Sequence, residues 1–194
     1  MILTLEDLKS KYNNYTDVKG KVKREVISEN LIPLGKGLYE SDKYVEGKYL
    51  AGYIYGPSYL SFDYALYYYG LIPEAVYNTY TSATFNKRRK KRYDNHFGVY
   101  TYQDVPMNVF YLGVKTIIEN GYSFQIATPE KALCDKLYSL SPLLSLKILK
   151  ETLFNDLRVD INEFEKLNRN DISKIASLYH STNVGLLLKL LKEE

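Results

Sequence analysis

The chain of 194 residues has one cysteine, Cys134, two histidines, two methionines and no tryptophan. A single cysteine excludes an internal disulfide and agrees with a reducing compartment. His96 and His180 stand far apart with only that cysteine between them, so no zinc-ligand spacing exists. No stretch approaches the roughly 18 consecutive apolar residues that cross a bilayer, and the start MILTLEDLKSK lacks the apolar run of a secretory signal. The expectation is a cytoplasmic protein without a membrane contact. A Walker-type phosphate loop and a GxSxG turn are both missing. No cofactor, no metal and no enzymatic activity are therefore expected. Charge of one sign is scarce too: 26 Lys and Arg stand against 23 Asp and Glu, a net charge of +3, which neither demands nor excludes nucleic acid.

What is present is an ordinary globular balance, 45% hydrophobic and 25% charged residues, so the chain can bury a core. Its length allows one domain or a small module attached to a medium one. The unusual feature is 21 tyrosines.

Thr4 can cap a first helix through Leu5, Leu8 and Tyr12, with Asp7 at the capping-box position. A second helix starts at Thr16-Asp17 and repeats Val18, Val22 and Val26 at i, i+4, one apolar stripe facing a core. Two short apolar runs follow, Leu31 to Leu34 and Leu38 to Tyr39, around Gly35-Lys36-Gly37, a hairpin-type connection. Helix, turn, helix and glycine-tipped hairpin is the order of a winged helix. Only Met1 to Leu3 precede it, so the module lacks the usual leading helix.

The composition changes near Ser41 to Gly47, which divides the chain into 1–43, a winged-helix module, and 44–194. In the second unit Ser61 can cap a helix with Phe62, Ala65, Leu66 and Tyr69 on one face, ended by Gly70 and Pro73. Strand-like segments cover Val76 to Thr84, Gly98 to Tyr102, Val114 to Ile118 and Tyr122 to Ala127, the last two joined by Asn120-Gly121, a strong hairpin signal. Thr128-Pro129 opens a helix through Lys136 and Tyr138. After Ser145 the pattern is short helices, ending in the stripe Leu186, Leu187, Leu190, Leu191. The fold class is α+β: a trimmed N-terminal winged helix-turn-helix, then an α+β domain with a mostly antiparallel sheet and a helical C-terminal tail.

On the second helix Lys23 and Arg24 project away from the valine stripe, while Lys19 and Lys21 flank it, and Lys36 sits at the hairpin tip. Such a layout suits a recognition helix, held by its apolar face while cations meet phosphates and base edges. It equally describes a solvated helix face. Lys87, Arg88, Arg89, Lys90, Lys91 and Arg92 form six consecutive cations, an exposed loop able to meet nucleic acid or an acidic partner, or merely solvated. Tyr67, Tyr68 and Tyr69 read as core packing rather than base stacking. In TPEKALCDK, Lys131 and Asp135 stand at i, i+4 and read as a surface pair on the outer helix face, with Cys134 a small buried hydrophobe.

The succession LIPLGKGLYES, SYLSFDYALYYYGLIPEAVY, TSATF with a basic loop and HFGVYTYQDVP, then ATPEKALCDKLY, spans roughly residues 4 to 140. Together these blocks resemble the AbiEi-type antitoxins of bacterial abortive-infection, phage-defence toxin-antitoxin systems. The resemblance implies a cognate toxin of nucleotidyltransferase fold, neutralised without need of a stable complex, and repression of the protein's own promoter by a winged helix reading inverted repeats. By motif position it gives Lys19, Lys21, Lys23, Arg24 and Lys36 the DNA-contact role. The rival classes are a stand-alone winged-helix transcription factor responding to a small ligand and a nucleic-acid-processing enzyme.

Overall fold

The computed structural model describes residues 1–73 and 77–193. It begins with a strand, β1 (Ile2–Thr4), that the sequence pattern does not reveal, because three residues carry too little alternation to identify a strand. Thr4 then caps α1 (Leu5–Lys11): its Oγ1 accepts from the Asp7 N–H at 3.2 Å, and the Asp7 carboxylate accepts from the Thr4 N–H at 2.7 Å. This is the reciprocal box expected from the spacing. Asp17 caps α2 (Val18–Ile27) by accepting from the Gly20 N–H at 2.9 Å.

The hairpin of β2 (Ile32–Gly35) and β3 (Leu38–Glu40) turns through Gly37, whose φ of +76° suits glycine. The strand β1 pairs antiparallel with β3, giving the order β1-β3-β2. Met1 to Leu3 are thus no mere leader; residues Ile2–Thr4 supply the third strand of the wing sheet. Leu3, Leu8, Val22 and Leu31 form a small core of their own, with Val18 and Val26 packed against it.

Beyond a short 3-10 turn at Gly47–Tyr49 come α3 (Ala51–Ile54), β4 (Tyr59–Leu60) and α4 (Phe62–Tyr68). Next are β5 (Thr79–Thr84), β6 (Lys91–Asn95) and β7 (Gly98–Asp104). The hairpin β8 (Val114–Glu119) and β9 (Tyr122–Ala127) leads into α5 (Pro129–Ser139). Part of the strand expected from Val76 lies outside the described residues, since 74–76 are not among them. The six strands from β4 to β9 form one sheet in the order β6-β7-β5-β4-β9-β8. Three of its five pairings are antiparallel; β5 with β7 and β4 with β9 are parallel. Mostly antiparallel is the right description, but the parallel pairs lie inside the sheet. The Asn120-Gly121 turn forms as expected, with φ of 52° and 77°.

One face of this sheet carries tyrosines. Tyr80 stacks on Tyr100 with ring centres 5.0 Å apart, and Tyr100 and Tyr102 donate hydroxyl hydrogen bonds to the carbonyls of Gly47 at 3.2 Å and Ala51 at 2.7 Å. Tyr100 and Tyr102 thus fill the core with their rings while their hydroxyls satisfy carbonyls of the segment that precedes β4. Tyr67 and Tyr68 are not part of this core; they are 40% and 38% exposed. The inward face of α4 is already occupied by Phe62, Ala65 and Leu66, and the helical turn carries the next residues outward.

The opposite face is covered by α5, and α5 in turn by the C-terminal helices α8 (Arg169–Ala176) and α9 (Thr182–Glu193); α6 (Leu146–Glu151) packs on α9, and α7 (Ile161–Glu165) precedes α8. In α9 Leu187 and Leu190 are fully buried and Leu186 and Leu191 half-buried, as the leucine spacing predicts. The two units are joined by more than a linker. Ile32 and Leu34 of the wing belong to the large core, and Asn95 donates its side-chain amide to the Leu34 carbonyl at 3.3 Å.

Candidate functional site

The outward surface of α2 is built by its own periodicity. With Val22 buried, Lys19, Lys23 and Arg24 fall on the exposed side, and Lys36 is exposed at the wing tip. Lys21 is different. It turns toward Glu25, with which it forms an ion pair, and lies over the rings of Tyr12 and Tyr15 at 5.5 and 5.2 Å. The hydrogen bond to Glu25 holds the Lys21 ammonium above the ordinary lysine pKa, and that of Glu25 is lowered by the same bond. Lys21 therefore ties α2 to the end of α1, whereas the other four cations face solvent. The i, i+4 spacing of Lys21 and Glu25 was a readable sign of this pairing.

The run Lys87 to Arg92 is only in part the free loop that self-repulsion suggests. The Asp104 carboxylate accepts from Thr84 Oγ1 at 2.7 Å and from the backbone N–H groups of Lys87 and Arg88, each at 2.7 Å. Lys87 is half-buried, its ammonium over the Tyr55 ring at 5.2 Å and 3.2 Å from the Gly56 carbonyl oxygen. Lys91 and Arg92 open β6. Arg88, Arg89, Lys90 and Arg92 remain exposed, so the charge is presented from a braced turn.

Lys131 and Asp135 are not a surface pair. Both are fully buried, with the ammonium 2.8 Å from Asp135 Oδ1. Thr128 caps α5 at the Lys131 N–H, and the next turns direct these side chains toward the sheet and the C-terminal helices. Asp135 Oδ2 accepts from Tyr59 OH at 2.9 Å and Ser61 Oγ at 2.7 Å, and Tyr179 hydrogen-bonds to both Lys131 and Asp135. Ser61 thus spends its hydroxyl here instead of capping α4. Burial pushes the Lys131 pKa below its ordinary value although Asp135 opposes this. Burial, reinforced by the Asp135 charge, pushes Tyr59 and Tyr179 up, and the buried Cys134 thiol is pushed up likewise. None of these five polar side chains exceeds 2% exposure, so no substrate reaches the centre; it fastens β4, α5 and the segment after α8 together. Sequence reading misses it because i, i+4 spacing is the same in a buried and an exposed pair.

Among the described residues no group of three His, Cys, Asp or Glu side chains is placed to hold a metal ion, and no helix is long and apolar enough to cross a membrane.

No protein-family model matches the chain, and no curated protein matches it. Among solved structures, the crystal structure of the RV2827C protein from Mycobacterium tuberculosis is similar, with a TM-score of 0.61 and 12% sequence identity, covering 97% of this chain and 71% of that one. At that identity the likeness concerns the fold alone.

Proposed function

We propose that the protein is an antitoxin that counteracts a nucleotidyltransferase-type toxin and represses its own operon by binding promoter DNA. The observation that carries the DNA-binding part is the exposure of Lys19, Lys23, Arg24 and Lys36 on one helix-and-wing module held together by its own small apolar core. In that arrangement cations reach phosphates without loss of packing, and the exposed side of a helix of this length fits the major groove. The antitoxin part rests on the resemblance of the motif blocks. Two of those blocks meet in the buried centre: Tyr59 and Ser61 come from one, Lys131 and Asp135 from the other. Their pattern therefore belongs to the framework of the second unit rather than to a reaction.

The test measures promoter-fragment binding by fluorescence anisotropy over a range of salt. With four to six phosphates neutralised, log K should fall against log salt with a slope of about −4 to −5. Lys23→Ala with Arg24→Ala should weaken binding and make the slope shallower by about 2. A slope unchanged by the double substitution removes α2 from the interface. Co-expression with a toxin of nucleotidyltransferase fold tests the antitoxin part, with restored growth as the expected result.

A further inference from the structure

The basic run borders a concave site that the operator-reading module does not use. Strand alternation sorts its members. Arg92 stands opposite Thr101 of β7, and Thr101 stands beside Thr81 of β5, so these three share one sheet face. Lys90, one residue before the Lys91–Tyr102 pair, and Gln103 fall on the same face. Lys91 and Tyr102 point to the other side, where the Tyr102 hydroxyl is bound to Ala51.

On the Arg92 face the start of α4 and the last turn of α5 rise beside the strands, enclosing a groove of about 470 Å³. Its floor is mostly apolar surface on which Thr81, Thr101 and Gln103 place uncharged polar groups. Thr81 is committed to the Ser61 carbonyl at 2.5 Å. Thr101 Oγ1 and the Gln103 amide are half-exposed and have no hydrogen-bond partner among the described residues. Lys90 has no carboxylate in ion-pair range among them; Arg92 shares its Nε with Asp94 at 3.1 Å. The far wall holds Lys136, neutralised by Asp63 at 2.6 Å. Phe62 on that wall adopts a φ of +54°, a conformation costly for a bulky side chain and one that collects at binding sites.

From this geometry we infer that the groove binds a phosphate ester of nucleotide size, a free mononucleotide or one residue of a nucleic-acid strand. Lys90 supplies the unpaired point charge that a phosphate needs, while Arg92, already engaged on one side, adds partial charge. The Thr101 hydroxyl and Gln103 amide, donors and acceptors both, meet sugar hydroxyls or a base edge. The volume lies in the range of small-molecule sites and exceeds what an inorganic anion fills. A carboxylate peptide would favour a bidentate arginine, and the guanidinium here is shared with Asp94.

Calorimetric titration of the full chain with uridine and adenosine monophosphates, inorganic phosphate, octauridylate and a glutamate octapeptide tests this. Saturable nucleotide binding is expected. It should weaken about tenfold with Lys90→Ala/Arg92→Ala and about fivefold with Thr101→Val/Gln103→Leu, and change less than about twofold with Arg88→Ala/Arg89→Ala, which removes equal charge outside the groove. Tighter binding of octauridylate assigns the ligand to a strand; equal binding per site assigns it to free nucleotide. Lys23→Ala/Arg24→Ala should leave nucleotide binding unchanged, which separates this site from the operator-reading helix. The inference is overturned by absence of saturation below about 10 mM, by phosphate or the acidic peptide binding as tightly as nucleotide, or by equal losses from charge removal inside and outside the groove.

Discussion

The Lys131 ammonium lies 2.8 Å from Asp135 Oδ1 with both side chains at zero exposure, and the two residues play unequal parts. Asp135 accepts from Lys131, Tyr59, Ser61 and Tyr179, whereas Lys131 has one carboxylate and one hydroxyl as partners. Asp135→Ala should therefore cost about 3–5 kcal/mol, since it leaves a buried ammonium and three hydroxyls without their acceptor. Lys131→Met should cost less, because the carboxylate keeps three donors. Urea unfolding of the two variants checks the order; an equal or larger loss for Lys131→Met would show that the carboxylate does not organise the centre.

Alkaline pH should destabilise the protein steeply. Burial raises the pKa of Tyr59, Tyr64, Tyr100, Tyr102 and Tyr179 in the folded state. Above about pH 10 the unfolded chain releases those protons while the folded chain keeps them, so each such tyrosine removes about 1.4 kcal/mol of stability per pH unit. Their contribution is fully present below pH 10. Lys131 works in the opposite sense: its folded pKa is lowered, so the unfolded state binds more protons in the window up to about 10.4 and stability rises with pH there. One lysine against five tyrosines leaves a net fall, visible as a thermal midpoint that drops sharply between about pH 10 and 11. A flat midpoint across that range would contradict the burial of these hydroxyls.

Lys21→Ala separates the role given by motif position from the role its contacts indicate. Because its ammonium is engaged by Glu25 and the rings of Tyr12 and Tyr15, the substitution should leave the salt slope of promoter binding within experimental error. It should instead lower the thermal midpoint of the module slightly. A slope shallower by about 1 would return Lys21 to the list of phosphate contacts.

The braced basic turn should matter for function and little for stability. Arg88, Arg89 and Lys90 are exposed, and replacing all three with Ser should shift the thermal midpoint by only a few degrees, since such surface changes usually stay within about 0.5 kcal/mol. If the chain acts as the antitoxin proposed above, rescue of growth from a co-expressed toxin should fall. Asp104→Ala, which releases the backbone of Lys87 and Arg88, should impair rescue while every cation remains. If the triple variant folds and rescues like the parent, the run has no part in neutralisation.

The features legible in the sequence share one property: the residues that cause them lie within four positions of each other. The box of Thr4 and Asp7, the Asp17 and Thr128 caps, the Asn120-Gly121 turn and the inward valines and leucines are decided by local backbone geometry and periodicity. The α+β class follows from their succession.

Tertiary structure decided the rest. Ile2–Thr4 became a strand only because β3 returned beside it. The identical i, i+4 spacing of Lys21–Glu25 and Lys131–Asp135 gave a pair half-covered by tyrosine rings in one case and a sealed centre in the other. Three hydroxyls from remote segments made the difference, and no local pattern encodes their arrival. The division of the basic run into a braced turn, a groove wall and a side chain on the opposite face was likewise set by the pairing of β6 with β7. Register across a sheet depends on which segments meet, and a one-residue slip would exchange the two faces.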